Sequence, residues 1–149
     1  MVKLIEPQVY KDGTIDTCSD PTSGTAGFLT TYIKYIIKIA ENKNIDLDWD
    51  FIKTHGLYGT EIDLNTYQLA LSNMVISTGH VIDNLQNGDS IQEISSTQVD
   101  IILTNPPFGI KGLKYNNIHH PLKDKVFPIN ADNAVSLFIQ LIIYTLKIN

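Results

Sequence analysis

The sequence predicts an α/β fold, a doubly wound and mainly parallel sheet covered by helices on both faces. Three observations carry that expectation. Short β-branched apolar runs alternate with longer segments of helical period, which is the pattern of βαβ units. The first run ends in a glycine-bearing turn that opens a helix. A later run, Val99 to Leu103, is apolar throughout after Asp100, as a strand covered on both faces must be. With 149 residues the chain suits one domain with a real core.

The elements follow in order. Thr14 to Cys18 reads as the first strand, stopped by Asp20-Pro21. From Gly27 to about Asn42, apolar residues at Leu29, Tyr32, Ile33, Ile36, Ile37 and Ala40 keep the i, i+3, i+4, i+7 rhythm of a crossover helix. A second strand spans about His55 to Glu61. Asp63 then caps a helix whose stripe is Tyr67, Ala70, Leu71, Met74 and Val75, and Gly79 sits just past its end. Val81 to Leu85 is a third, weaker strand, followed by the turn Asn87-Gly88-Asp89-Ser90. Val99 to Leu103 is the fourth. The segment Thr104 to Ile129, 26 residues rich in Pro, Gly, Asn, Lys and His, is a loop long enough to call for a functional reason. A last helix, about Ala131 to Lys147, carries Ala134, Leu137, Phe138, Leu141 and Ile142, and no strand follows it.

Composition narrows the function. Hydrophobic residues make up 43% and charged residues 18%, against about 25% charged in an average domain, which excludes a disordered chain. The net charge of -5 excludes binding to nucleic acid through bulk charge alone. A single cysteine, Cys18, and an N-terminus without an apolar secretion signal place the chain in a reducing, cytosol-like compartment. No apolar run approaches the ~20 residues of a membrane span.

Three constellations carry chemistry. In Asp20-Pro-Thr-Ser-Gly24-Thr25-Ala26-Gly27-Phe28, Gly24 permits the tight turn and Gly27 allows close approach at a helix start. Without Gly-Lys-Ser/Thr it is not a phosphate-binding P-loop. Glu61, at the end of the second strand, lies at the distance past that turn where doubly wound domains place a carboxylate for ribose hydroxyls, whereas Asp63 reads as a helix cap. In Asn105-Pro106-Pro107-Phe108 the prolines stiffen the backbone and remove donors. An Asn amide and a carbonyl then face one small polar target beside an aromatic ring, which suits the exocyclic amine of a planar base; a rigid turn is the plainer alternative. His119 and His120 are adjacent and lack the i, i+4 spacing of a ligand pair, so no metal is expected. Lys111, Lys114, Lys123 and Lys125 form either a phosphate contact or, more commonly, a solvated loop.

Taken with Asn87-Gly-Asp89-Ser and Leu69-Ala-Leu-Ser-Asn73-Met, these motifs resemble, in order and spacing, the S-adenosylmethionine-dependent DNA adenine-N6 methyltransferases, above all the modification subunits of type I restriction-modification systems. The resemblance implies a Rossmann-like class I methyltransferase domain with strand order 3-2-1-4 that moves a methyl group from S-adenosylmethionine to adenine N6. It implies that Asp20, Gly24, Thr25 and Gly27 line the methionine end of the cofactor pocket, that Glu61 holds the ribose and that Asp89 contacts the adenine. Asn105, Pro106, Pro107 and Phe108 would receive the target base. DNA, a specificity subunit and other methyltransferase or restriction chains are the implied partners. Residues 1–149 would be part of a catalytic domain, truncated at both ends, lacking an N-terminal helical domain and the strands beyond the fourth. The alternatives are the same fold acting on protein glutamine or RNA bases, and an inactive remnant or non-catalytic partner. Ala26 stands where the family usually has glycine, and its methyl group calls for a negative φ there.

Overall fold

The computed structural model describes residues 2–107 and 113–148. A single helical turn, α1 (Val2–Ile5), precedes β1 (Cys18–Asp20), α2 (Gly27–Lys43), the short α3 (Trp49–Phe51), β2 (Leu57–Glu61), α4 (Leu64–Thr78), β3 (Leu85–Asn87), β4 (Ile101–Ile102), the short α5 (Lys123–Val126) and α6 (Ala134–Thr145). The strands form one parallel sheet ordered β3-β2-β1-β4, the order that the family resemblance implies. Cys18 stands beside Leu57 and Ile101, and Glu61 beside Asn87.

The crossover helices obey their periodicity. On α2, Leu29, Tyr32, Ile33 and Ile36 are fully buried. Tyr32 also spends its hydroxyl, which donates to the Asp16 carbonyl at 2.6 Å and ties the helix to the approach of β1. Asp63 caps α4 by accepting from the Thr66 N–H at 2.8 Å, and Gly79 closes it at φ 75. Ala70 and Met74 are buried, but Val75 is 40% exposed. It lies about 140° around the helix from Ala70, past the edge of the covered stripe.

Strand positions differ from the expectation in four places, one of them β4, which keeps only Ile101–Ile102 of the expected Val99 to Leu103. β1 starts at Cys18, because Gly13 at φ 84 turns the chain so that Ile15 bridges Val9 in antiparallel fashion. β2 starts at Leu57, because a wide π-helical turn, Ile52–Gly56, absorbs His55. β3 is Leu85–Asn87, not Val81 to Leu85: Val81 is 61% exposed, and the Asp83 N–H is drawn to the Lys53 carbonyl at 3.0 Å before pairing begins.

Among the described residues no strand follows α6, but the chain past it makes one bridge. Past α6, Leu146 forms a parallel bridge with Val99; the Val99 N–H donates to the Thr145 carbonyl and the Lys147 N–H to the Val99 carbonyl, both at 2.9 Å. Asp100 locks this corner. Its carboxylate accepts from the Thr17 N–H at 2.8 Å, the Thr17 hydroxyl at 2.7 Å and the Lys147 ammonium at 2.9 Å. Burial opposes its ionisation, yet Lys147 and Thr17 hold its carboxyl below the usual range.

Nor is the long segment after β4 a structureless loop. Its Ile118, Val126 and Phe127 are buried with Leu137, Phe138 and Leu141 of α6 and with Ile91 and Ile94, forming a second core beside the one under α2 and α4. Gln140 pins it by accepting from the Ile129 N–H at 2.8 Å and donating to the Ile129 carbonyl at 3.0 Å. Among the described residues no helix is long and apolar enough to cross a membrane.

Candidate functional site

The segments that follow the carboxyl ends of the four parallel strands meet at one edge of the sheet, the place where doubly wound folds open a crevice. Two connected hollows occupy it. The deeper, of about 330 Å³, has Glu61 and Asp89 on its polar side and Ile62, Leu113 and Phe138 on its apolar side. The shallower, of about 430 Å³, lies over the glycine turn between β1 and α2 and reaches Asp20, Gly24, Thr25 and Gly27. Thr22 and Asn105 line both.

Each carboxylate is held by backbone donors. Glu61 accepts from the Gly24 N–H through Oε2 and from the Asp63 N–H through Oε1, both at 2.9 Å, so the end of β2 and the glycine turn fix one another. Each oxygen keeps a second lone pair for a ligand hydroxyl. Asp89 accepts from the Ile91 N–H at 2.9 Å through Oδ1 alone. Asn87 donates from its amide to the Glu61 carbonyl at 2.8 Å, and the Ser90 hydroxyl donates to the Pro21 carbonyl, which sets the Asp89 turn against the crevice.

Asp20 is the outlier. It is 1% exposed, its Oδ1 accepts from the Thr22 N–H at 3.0 Å, and its Oδ2 is buried with no partner. Burial pushes its carboxyl up to about 6; the Thr104 and Thr22 hydroxyls and the Thr22 N–H oppose the rise, and Glu61 adds to it by repulsion. A buried carboxylate oxygen left unsatisfied is costly, and a cationic ligand group would satisfy it.

The glycine turn is wound as its sequence suggests, with one correction. Gly24 has φ 53 and nothing within 4 Å of where a Cβ would stand. Gly27 likewise faces open space, so its missing side chain widens the hollow and does not serve close packing. Ala26, expected to need a negative φ, has φ 63 and ψ 32 with its methyl fully buried. The turn imposes the glycine conformation, and burial of the methyl group offsets part of the strain.

All the cofactor-side candidates, Asp20, Gly24, Thr25, Gly27, Glu61 and Asp89, border the two hollows. From the β4 side Asn105 borders both and Pro107 the deeper one, with half-buried Pro106 between them in the chain. Phe108 and Lys111 lie outside the described residues. Sequence reasoning missed Leu113 and Phe138, the second because its place in the apolar stripe of α6 marked it as core. It also missed Thr22 and Thr104, whose hydroxyls are 2.7 Å apart across the crevice; two threonines more than eighty positions apart give no local signal. Asn73 of the Leu69-Ala-Leu-Ser-Asn motif donates to the Thr25 carbonyl at 2.9 Å and props the glycine turn from α4.

Comparison with known proteins identifies the family and the fold. The N-6 DNA methylase family matches the chain over residues 1–149. The methylase subunit of the type I restriction enzyme StySPI of Salmonella potsdam is 34% identical over 122 residues, covering 73% of this chain and 21% of that protein. The crystal structure of the EcoKI M protein, from a type I restriction enzyme, superposes with a TM-score of 0.74 at 25% identity, over 98% of this chain and 29% of that one. At the level of fold alone, a class I S-adenosylmethionine-dependent methyltransferase from Listeria monocytogenes gives a TM-score of 0.60 at 21% identity, over 89% and 36% of the two chains. The chain thus spans about a fifth of the length of the StySPI relative.

Proposed function

This chain belongs to the N-6 DNA methylase family, and from that premise we propose that residues 1–149 form part of a catalytic domain that methylates adenine N6 in DNA with S-adenosylmethionine. The observation that carries the reading is the convergence of Asp20, Glu61 and Asp89 with Asn105 on one crevice, with Thr22 and Asn105 shared by its two hollows.

The residues fit that cofactor. The orphaned Asp20 Oδ2 suits its ammonium group, the free lone pairs of Glu61 suit ribose hydroxyls, and Asp89 Oδ2 suits an exocyclic amine while Ile62, Leu113 and Phe138 flank a flat ring. A hollow of about 330 Å³ falls within the range of small-molecule sites. When bound, the cofactor supplies an electrophilic methyl group on a sulfonium.

On the other side of the crevice the chain's own groups prepare the acceptor. Adenine in a duplex is stacked and out of reach, so the base is flipped out at a cost of a few kcal/mol. The Asn105 side chain and the Pro106 carbonyl accept hydrogen bonds from its amine, drawing the nitrogen toward sp³ geometry and aiming its lone pair across the Thr22 wall. The same reading gives Phe108, which lies outside the described residues, the role of stacking on the base, worth ~1–3 kcal/mol. Rate comes from alignment and from polarisation of the amine by fixed acceptors. DNA, a specificity subunit and further methyltransferase or restriction chains are the partners in this reading.

Calorimetry with S-adenosylmethionine, on the chain purified with its accompanying subunits, tests the cofactor half. Glu61→Ala is expected to weaken binding at least tenfold, about 1.4 kcal/mol. Binding that survives the substitution unchanged removes the ribose assignment.

A further inference from the structure

The Thr22 hydroxyl lies at the seam between the two hollows and has one hydrogen to give. Its oxygen is 2.7 Å from the Thr104 hydroxyl and 3.2 Å from the Asn105 carbonyl. A carbonyl only accepts, so when both contacts are made the direction is fixed: Thr104 donates to Thr22, and Thr22 donates to Asn105. The same threonine donates its N–H to Asp20 Oδ1 at 3.0 Å. One residue therefore touches both the buried carboxylate of the cofactor hollow and the backbone of the Asn-Pro-Pro segment.

We propose that Thr22 is a positioning residue that couples occupancy of the Asp20 hollow to alignment of Asn105, so that cofactor and target base bind cooperatively. The inference rests on the methyltransferase reading above. Asp20 Oδ2 has no partner of its own, while Oδ1 of the same carboxylate holds the Thr22 N–H at 3.0 Å. A ligand ammonium at Oδ2 fixes the Asp20 carboxylate, and through the Oδ1–Thr22 bond it steadies the Thr104–Thr22–Asn105 chain. Asn105 is held where its side chain meets the amine. Linkage makes the effect mutual: a base seated on Asn105 favours the same hydroxyl arrangement and tightens the cofactor by the same factor. The two hollows then act as one site although no single ligand group spans Thr22.

The test uses Thr22→Val, nearly isosteric but without a hydroxyl, and Thr22→Ser, which keeps the hydroxyl and loses the methyl. The affinity for S-adenosylmethionine is measured with and without unmethylated genomic DNA, on the chain purified with its accompanying subunits. The unaltered protein is expected to bind the cofactor at least about fivefold tighter with DNA present. Thr22→Val brings that ratio to about one and lowers kcat about tenfold while the cofactor KM moves much less, as loss of alignment requires. Thr22→Ser keeps the ratio. A valine variant that retains the cooperativity, a serine variant that loses it as fully as valine, or an unaltered protein with no cooperativity would each overturn the proposal while leaving the methyltransferase reading intact. An unaltered protein that binds no cofactor removes both.

Discussion

Replacing Gly59 by alanine probes how tightly the sheet is packed just before the site. Gly59 is in the middle of β2, and an alanine Cβ there would stand 2.6 Å from Leu85 Cδ2, 2.9 Å from Leu29 Cδ1 and 3.4 Å from Ser23 Cβ. Leu29 is 0% exposed and Leu85 5%, so neither leucine can swing into water to make room. Overpacking of this kind costs ~1–3 kcal/mol. Gly59 has no positive φ, so alanine also recovers ~0.4–1 kcal/mol by restricting the unfolded chain. Taking the middle of each range, the net loss is about 1.3 kcal/mol, which for a domain of this size lowers Tm by roughly 3–5 °C. Urea denaturation of the single and double variants isolates the cause. In a Leu85→Ala background, itself destabilised by ~2–5 kcal/mol, the added methyl has room beside position 85. The same Gly59→Ala step should then cost at least 0.5 kcal/mol less, as roughly the scale of coupling expected between touching residues. A Gly59→Ala chain as stable as its parent, or a cost unchanged by Leu85→Ala, would refute the packing argument.

Two further outcomes follow. Ala26→Gly relieves ~1–2 kcal/mol of left-handed strain but loses a buried methyl worth ~0.8 kcal/mol and frees the unfolded chain, so thermal unfolding should move little, whereas Ala26→Val, β-branched at positive φ, should destabilise clearly. The Asp20 carboxyl, raised to about 6 in the folded chain, keeps its proton below that pH; affinity for the cationic cofactor should therefore fall about tenfold per pH unit below 6 and level off above it, and calorimetry near pH 6 should record proton release on binding. For the free chain the sign is opposite: a raised carboxyl favours the fold at low pH, and that contribution is lost as pH rises through 4 to 6.

Helix positions were legible in the sequence because they rest on a signal that spans many residues, the apolar period of α2 and α4, whereas the strand order came from the family resemblance of the motifs. Strand ends were not legible. Each of β1, β2 and β3 shifts toward the carboxyl side of its apolar run because a local feature claims the first residues: the Gly13 turn, the π-helical turn at His55 and the Asp83–Lys53 hydrogen bond. The bridge from Leu146 to Val99 was invisible for a similar reason, since it depends on Asp100 and Lys147 meeting across 47 positions. In the site, Asp20 and Glu61 each end a strand, and Asp89 stands in the glycine turn just past β3, so all three lie at strand ends that the sequence marks. Phe138 could not be read, since a ring on an apolar stripe looks the same whether it fills a core or walls a cavity. The hydroxyl chain through Thr22 is a property of three dimensions only.

The central claim is that Asn105 accepts from the amine that receives the methyl group. It is tested by incubating the purified chain and its accompanying subunits with methyl-labelled S-adenosylmethionine and unmethylated genomic DNA, then resolving the nucleosides. The account predicts label in N6-methyladenine, and an Asn105→Ala variant whose turnover falls at least about 10²-fold, the scale of losing one preorganised polar contact to a transition state, while its cofactor affinity hardly changes. Label found instead in protein or RNA, or an Asn105→Ala variant that methylates adenine at an undiminished rate, would contradict it.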